Sequence, residues 1–357
     1  MLPLFWPVIY KEEFLEELGK IFNTRWIGEG PKTKEFEYEF GKKFGYNHCV
    51  SVNSGTSALE LAYHLADIQE GDEVLTTCLT CSATNIPLVR RKAKIVFVDI
   101  NKETLTMDYD DLQLKLTPNT KAVITVNLGG IQCDDRIYTL LKERNIISII
   151  DCCQSLGISE QNGDFLVYSF QAIKHFSTFD GGMLVTRNEA DHIRAKKLKW
   201  FGIDRDQKIS NDWKCYNSNR QICMDMDEAG YKFHMNDIAA TIGLIGLKHS
   251  DEILEYRKMV NDVYKNILKP KSISGGSYWL FCILVDNKFE LLEKLRLKGI
   301  ESDVAQLRND VFSVFKDYKT ELPNMDEIEK SYLYIPIHTN LQRWDVMYIA
   351  NTINESI

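Results

Sequence analysis

The feature that most constrains this chain of 357 residues is a series of short apolar runs separated by segments with helical spacing. Several runs are unbroken and rich in β-branched residues, which is typical of strands covered on both faces by helices. The alternation predicts a mainly parallel α/β domain. The predicted strands are residues 48–52, 73–76, 94–99, 122–127, 146–151, 165–170 and 183–186.

The pattern changes after about residue 236. One long helical stretch runs through Leu247 and Ile253 to Leu268, and a Lys-Pro-Lys-Ser linker follows near position 270. We therefore predict a large domain with an N-terminal segment at residues 1–248, and a small α+β domain at 249–357. The strand, helix, strand and helix predicted in the small domain are residues 278–285, 289–298, 332–337 and 343–353.

The composition argues against several classes of protein. A net charge of −8 disfavours a general nucleic-acid surface. The apolar N-terminus lacks a basic region, and no run is long enough to cross a membrane, so neither a signal peptide nor a membrane span is predicted. Nine cysteines, several in apolar runs, favour reduced thiols in a cytoplasmic protein. The lone pair Cys78-x-x-Cys81 lacks a nearby histidine, so no metal site is predicted.

One lysine lies in otherwise apolar surroundings. Lys174 follows the apolar run at 165–170 and precedes a loop closed by Gly181 and Gly182. Burial disfavours an ammonium ion, so a lysine there offers a usable amine, which can form a Schiff base with a carbonyl. Taken alone, however, the residue is better explained as a solvated lysine in a strand-to-loop turn.

A second motif, Asn53-Ser54-Gly55-Thr56-Ser57, lies between a predicted strand and a predicted helix. Backbone N–H groups and the dipole at the start of a helix bind anions. Gly55 permits close approach of the backbone to a ligand, and Thr56 and Ser57 add hydroxyl donors. By itself the motif is equally consistent with a plain helix N-cap.

Polar residues also follow two neighbouring strands. Asp151 ends a buried strand, where ligands bind in open α/β sheets, and its carboxylate needs a cation such as an arginine, a lysine or a protonated ring nitrogen. Gln154 lies three residues further on, and Ser169 ends the next strand. A phosphate cradle, an acid and an amine at Lys174 together predict a site for pyridoxal 5′-phosphate (PLP).

These motifs resemble those of the DegT/DnrJ/EryC1/StrS aminotransferases, PLP-dependent enzymes that aminate nucleotide-linked keto sugars. The resemblance covers nearly the whole chain. It implies the fold type I (aspartate aminotransferase-like) architecture, with a large, mainly parallel seven-stranded α/β domain and a small α+β domain. The matching stretches begin at Trp26, Asn53, Gly71, Asp151, Ser169, Asp180 and Gly230.

The resemblance also implies roles for single residues. Lys174 would hold the cofactor as a Schiff base and move protons between carbon atoms, while Asp151 would pair with the ring nitrogen. Gln154 would lie beside the ring and its 3-hydroxyl. The other expected cofactor contacts are Ser54, Gly55, Thr56 and Ser169 around the phosphate, Cys81 at the ring face, and Lys232 from the neighbouring subunit of a homodimer.

Two positions depart from the family pattern. Many members place an aromatic residue over the pyridine ring where this chain has Cys81, so either the thiol packs on the ring or another side chain covers that face. Many members also have His-x-Tyr-Gly where this chain has Asn127-Leu-Gly-Gly130, so Asn127 is expected near the substrate. Other candidates for substrate contacts, each equally plausible as ordinary surface residues, are Arg205, Lys232, Arg308 and His338.

The implied reaction transfers an amino group from L-glutamate, which leaves as 2-oxoglutarate, to a nucleotide-diphosphate keto sugar. We expect a 4-keto-6-deoxyhexose and a 4-amino-4,6-dideoxy product of the viosamine or perosamine type, with amination at C3 as the alternative. Dehydrating relatives carry histidine in place of the lysine, so the intact Lys174 ranks dehydration lower. A non-catalytic PLP-binding regulator is disfavoured by the acidic composition, and an ATP-using enzyme by the missing Gly-x4-Gly-Lys-Ser/Thr loop.

Overall fold

In a computed structural model, which describes residues 1–210 and 214–357, the seven strands predicted for the large domain form one sheet. The strand order is β1-β7-β6-β5-β4-β2-β3, and only β7 of these seven strands runs against the others. The strands are β1 (His48–Val52), β2 (Glu73–Thr77), β3 (Lys94–Val98), β4 (Thr120–Val126), β5 (Ile147–Asp151), β6 (Phe165–Ser169) and β7 (Gly182–Thr186).

Helices pack on both faces of this sheet, which is why its strands are almost continuously apolar. Helix α3 is an example of this packing, since its residues Ala58, Leu61 and Ala62 are all fully buried. The helices of this part are α1 (Lys11–Phe22), α2 (Pro31–Phe44), α3 (Gly55–Leu65), α4 (Ser82–Arg90), α5 (Tyr109–Lys115), α6 (Asp135–Glu143), α7 (Glu189–Leu198), α8 (Arg205–Ser210) and α9 (Asp237–Lys248).

The C-terminal part has its own antiparallel sheet, with strand order β10-β9-β8, and its own apolar core. This mixture of strands and helices agrees with the α+β pattern predicted for the C-terminal residues. The domain division between residues 248 and 249 stays a prediction. The elements are α10 (Ser250–Ile267), β8 (Ser272–Ile273), β9 (Phe281–Leu284), α11 (Lys288–Leu297), α12 (Pro323–Ile328), β10 (Tyr332–Ile335) and α13 (Arg343–Ser356).

The long helix expected through Leu247 and Ile253 is two helices in the structure. The chain leaves helical geometry at His249, where φ is −95° and ψ is 5°. The physical reason is that the two halves bury different faces. Helix α9 is apolar nearly all round and packs against α1 and α2, while α10 packs against α13 in the C-terminal part.

The first residues of the chain contact the C-terminal part. The backbone N–H of Leu2 donates to the carbonyl of Gly299 at 2.7 Å. The N–H of Leu4 donates to a carboxylate oxygen of Glu301 at 3.0 Å. Leu2 packs against the core of the C-terminal part, whereas Leu4 is buried in a cluster that includes strands of the large sheet. The assignment of this segment to the large domain stays a prediction.

The sheet topology brings several chain segments to one edge. Strands β1, β2, β4, β5 and β6 all run in the same direction, because β1 and β6 both pair antiparallel with β7. Their carboxyl ends therefore meet at the same edge. Ser54 follows β1, Cys81 follows β2, and Asp151 and Ser169 end β5 and β6. This edge is where an open α/β sheet binds ligands.

The aromatic cluster behind the sheet gives a test of the packing. Phe40 is fully buried, and its ring lies 4.8–6.2 Å from those of Phe36, Phe44, Tyr168 and Phe170, measured between centroids. We predict that Phe40→Ala lowers the free energy of unfolding by about 3–5 kcal/mol, since it leaves a cavity. Urea denaturation followed by circular dichroism measures this.

The matched control is Leu114→Ala, at a position that is 84% exposed. It should change the free energy of unfolding by less than about 0.5 kcal/mol. Equal effects of the two substitutions would contradict the packing described here.

Candidate active site

A cavity of about 480 Å³ opens at the carboxyl edge of the large sheet. Its walls come from both parts of the chain. The lining residues from the C-terminal part are Trp279, Ala305, Gln306, Leu307, Asn309 and Phe312. The structure brings eight residues predicted from the sequence to this one cavity. They are Ser54, Gly55, Thr56, Cys81, Asp151, Gln154, Ser169 and Lys174.

The first wall is the start of α3, which forms an anion cradle. Ser54 is the N-cap of α3, and its Oγ accepts a hydrogen bond from the N–H of Ser57 at 3.0 Å. A Cβ atom on Gly55 would lie 2.8 Å from Cβ of Ser169 and 3.0 Å from Sγ of Cys153. Only glycine therefore lets the first turn of α3, with its N–H groups and positive dipole end, come this close to β6.

The second wall carries a buried carboxylate without a cation. Asp151 is 4% exposed and accepts hydrogen bonds from Oγ1 of Thr84 at 2.8 Å and from the N–H of Cys153 at 3.0 Å. Within residues 1–210 and 214–357, no lysine, arginine or histidine nitrogen lies within 4.0 Å of its oxygens. A carboxylate in this state fits a cationic ligand group such as a protonated ring nitrogen, because an unpaired buried charge is costly.

The amide of Gln154 is oriented by the backbone of a tight turn. Its Oε1 accepts a hydrogen bond from the N–H of Gly129 at 2.7 Å, which leaves its amide NH2 available to a ligand. Gly129 has a φ of +64°, a conformation that favours glycine. Gln154 itself is 2% exposed, so its position is set by the protein rather than by solvent.

The amine of Lys174 rests on an aromatic ring. Its Nζ lies 4.1 Å from the centroid of the Trp279 indole, a distance typical of a cation–π contact. In the described part of the chain, no carboxylate oxygen lies within 4.0 Å of this nitrogen. The nearby Cys153 is a neutral thiol, because burial, followed by the charge of Asp151, raises its pKa well above the usual value.

Asn127 and Arg308 lie outside the cavity lining. Asn127 is fully buried, and its Nδ2 donates to Oγ of Ser155 and to Oε2 of Glu160, both at 3.3 Å. Arg308 forms two hydrogen bonds of 2.7 Å with Asp310 and also pairs with acids of the α12 region. Burial alone would lower the pKa of its guanidinium, but these acids raise it. Both side chains thus have structural partners.

Arg205, Lys232 and His338 also lie away from the cavity. Arg205 pairs with Glu29 at 2.7 Å and lines a separate cavity of about 500 Å³. Nζ of Lys232 lies 3.6 Å from the centroid of the Trp200 ring. His338 is 1% exposed, and its Nε2 donates to the carbonyl of Pro3. A role of any of these residues in substrate binding stays a prediction.

Sequence reasoning missed several lining or supporting residues. One of them is Thr84, whose hydroxyl donates to Asp151. Thr84 lies four residues after Thr80, and this helical spacing could have indicated that the two threonine hydroxyls lie close together, at 2.9 Å. Asn309 was not predicted, yet its side chain donates to the carbonyl of Thr80 and its N–H to that of Cys78. No sequence signal placed Trp279 beside Lys174, because that contact joins residues 105 positions apart.

Comparison with known proteins identifies the class of enzyme. The model of the DegT/DnrJ/EryC1/StrS aminotransferase family matches residues 8–354. The chain therefore belongs to this family, whose members are PLP-dependent sugar aminotransferases. The predictions of family, fold class and enzyme class are confirmed.

Three similar proteins illustrate the relationship. The UDP-4-amino-4,6-dideoxy-N-acetyl-β-L-altrosamine transaminase of Campylobacter jejuni is 31% identical over 366 residues, covering 95% of this chain and 93% of the relative. The structure of AtS13 from Actinomadura melliaura matches with a TM-score of 0.91 and 30% identity, over 100% and 99% of the two chains. Spr1654 from Streptococcus pneumoniae, in its PMP-form, matches with a TM-score of 0.90 and 26% identity, over 100% and 99%.

Among the described residues, no group of three histidine, cysteine, aspartate or glutamate side chains could hold a metal ion. No helix in the same residues is long and apolar enough to span a bilayer.

His338 gives a prediction about pH. Burial lowers its pKa to about 4, against a reference value near 6.5 in the unfolded chain. Below pH 6.5 the unfolded state therefore binds the proton first, and stability is lost as the pH falls towards 4. From pH 7 to pH 5 this one group should remove about 2 kcal/mol of the free energy of unfolding.

The variant that tests this is His338→Gln, which keeps an N–H donor near the Pro3 carbonyl but does not titrate. Urea denaturation at pH 7 and pH 5 should show a smaller loss of stability in the variant than in the unmodified protein. Parallel pH dependences would mean that His338 is not held neutral in the folded state.

Proposed function

We propose that this protein is a transaminase that uses PLP to pass the amino group of L-glutamate to a nucleotide-linked 4-keto-6-deoxyhexose. The product is the 4-amino-4,6-dideoxy sugar. The observation that carries the proposal is the meeting of three chemical groups in one cavity. These are the glycine-lined anion cradle at Gly55, the cation-free carboxylate of Asp151 and the amine of Lys174.

The residues that would hold PLP fit its three functional parts. The start of α3, with Ser54, Gly55 and Thr56, suits the phosphate, and Ser169 approaches the same place from β6. Asp151 suits the pyridinium nitrogen. The NH2 group of Gln154, left available by its bond to the Gly129 N–H, suits the 3-hydroxyl of the ring (the O and N positions of this amide follow from its hydrogen bonds).

PLP, when bound, supplies an electron sink and a temporary carrier for the amino group. With PLP bound, Asp151 would pair with the ring nitrogen, because its carboxylate is buried and no lysine, arginine or histidine of the described residues pairs with it. Lys174 would be the residue that holds the cofactor, and its amine would serve as general base and acid for the α-proton of the donor.

The choice of the C4 position is supported by the relatives. The Campylobacter relative is a transaminase of a 4-amino-4,6-dideoxy sugar nucleotide. Ala305, Leu307 and Phe312 form an apolar part of the cavity wall, which suits the methyl group of a 6-deoxy sugar. Amination at C3 would leave these contacts unchanged. Assays with 4-keto and 3-keto substrates must therefore distinguish the two positions.

We further propose a cytoplasmic homodimer in which Lys232 reaches the cofactor phosphate of the neighbouring subunit. Its support is that Nζ of Lys232 lies over Trp200, away from the cavity of its own chain. Partial burial, followed by the charge of Arg205, lowers the pKa of Lys232, and a phosphate anion placed beside it would raise that pKa. Sedimentation that shows a monomer at assay concentrations would exclude this arrangement.

The catalytic roles predict a clear difference between two lysines. The purified protein with PLP should absorb visible light, and L-glutamate should bleach that band while releasing 2-oxoglutarate. Lys174→Ala should lower the rate of the glutamate reaction by about 10²–10⁴-fold, because it removes the base and acid. The control Lys316→Ala, at an exposed position, should leave the rate unchanged. Undiminished turnover of Lys174→Ala would refute the proposed roles.

The substrate is tested with a panel of nucleotide-linked keto sugars. The 4-keto-6-deoxyhexoses and the corresponding 3-keto sugars, each linked to UDP, dTDP, GDP or CDP, are incubated with L-glutamate and the protein. Mass spectrometry should show the amino sugar and 2-oxoglutarate in equal amounts with a 4-keto substrate. A preference for a 3-keto sugar would move the proposal to C3, and a protein that binds no PLP would favour a different function.

A further inference from the structure

The indole of Trp279 makes two contacts with the catalytic lysine and its backbone. The ring face lies 4.1 Å from Nζ of Lys174, and the indole N–H donates to the carbonyl of Ile173 at 3.1 Å. The indole also stacks on the ring of Phe5, with centroids 5.5 Å apart and planes inclined by 28°. Trp279 is 1% exposed, so the ring has little freedom to move.

The segment that carries the indole, residues 277–279, is bonded to the cofactor-facing part of the cavity. Oγ of Ser277 donates to the carbonyl of Gln154 at 2.8 Å. The Ser277 carbonyl accepts from Nε2 of His175, the residue after Lys174, at 2.9 Å. The N–H of Trp279 donates to the carbonyl of Gly129 at 3.1 Å. These bonds fix the position of the Trp279 ring relative to Lys174 and Gln154.

A buried arginine holds the other side of the same segment. Nη1 of Arg257 donates to the carbonyls of Tyr278, Trp279 and Ile337, at 3.2, 3.3 and 2.7 Å. Arg257 is 1% exposed, and in the described residues it forms no ion pair. Tyr278 has a φ of +54°, which is rare for an aromatic residue. Such a conformation persists only when its surroundings hold it in place, and it is most often found at functional sites.

We propose that Trp279 is a positioning residue for the Lys174 amine. A lysine side chain has many rotamers, and ordering it costs free energy at the moment of reaction. The electron-rich face of the indole attracts the ammonium group, and the N–H bond to Ile173 fixes the backbone from which the side chain departs. Together these contacts order the amine beforehand at the wall of the cavity, as preorganisation requires.

The inference rests on the proposed function, because it concerns the attachment of PLP to Lys174. Attachment joins the lysine nitrogen to the aldehyde carbon of PLP and releases one water molecule, with no net oxidation or reduction. Trp279 contributes neither an atom nor a proton to this step. Its contribution is the location of Nζ when the aldehyde arrives, so its effect must pass through Lys174.

The experiment compares two cofactor forms with the full-length protein. PLP joins Lys174, whereas pyridoxamine 5′-phosphate has an amine in place of the aldehyde and binds without attachment. Trp279→Leu should raise the Kd for PLP about tenfold and slow attachment, followed by absorbance, by at least as much; tenfold corresponds to about 1.4 kcal/mol. The Kd for pyridoxamine 5′-phosphate should change less than about threefold.

Trp279→Phe is the conservative control, because it keeps an aromatic face without the indole N–H. It should restore most of the PLP affinity. Trp279→Met replaces Trp279→Leu if the leucine variant does not fold, as judged by circular dichroism. An equal loss of affinity for both cofactor forms would overturn the inference, since it would show that Trp279 shapes the cavity rather than places the amine.

A double-mutant cycle separates the inference from the proposed function. In a Lys174→Ala background, Trp279→Leu should change the Kd for PLP less than about twofold, because no amine remains to be positioned. The same tenfold loss in that background would overturn the inference. If the unmodified protein attaches no PLP at all, the proposed function fails; if it attaches PLP and Trp279→Leu does so equally well, only the role of Trp279 fails.

Discussion

The candidate active site depends on the burial of one charged group, the carboxylate of Asp151. It ends β5 at the edge where the carboxyl ends of six parallel strands meet, and it has two hydrogen-bond donors but no cation among the described residues. A buried charge of this kind is retained where a ligand completes it. The cradle of α3, Ser169 and Lys174 line the same cavity as this carboxylate.

The C-terminal part of the chain completes the site rather than merely covering it. Trp279 supports the amine of Lys174, and Asn309 bonds to the backbone of Cys78 and Thr80, next to Cys81. A segment of the C-terminal part thus borders Cys81 and also carries Phe312 into the cavity lining. The shape of the cavity therefore depends on how the two parts pack together.

Much of the fold and of the cofactor site was predictable, for local reasons. Strand ends and helix starts are read from short stretches, so Asp151, Ser169 and Gly55 could be placed at one edge before the structure was known. Contacts between distant residues could not be predicted in this way. The motif around Asn127 did not indicate its bonds to Ser155 and Glu160 in the protein interior, and its expected place near the substrate stays a prediction. The sequence predicted a single helix through Leu247, but the structure has two helices there, because each half packs against different helices.

The sequence by itself determined the α/β class, the family and the set of residues that suit PLP, because periodicity and short motifs are local properties of the chain. Only the tertiary structure decided that Asp151 lacks a cation, that Arg308 and His338 are occupied by structural partners, and that Trp279 lies against Lys174. These facts depend on side chains that are distant in sequence. Their contacts are set by how the two apolar cores pack together, which no local pattern records.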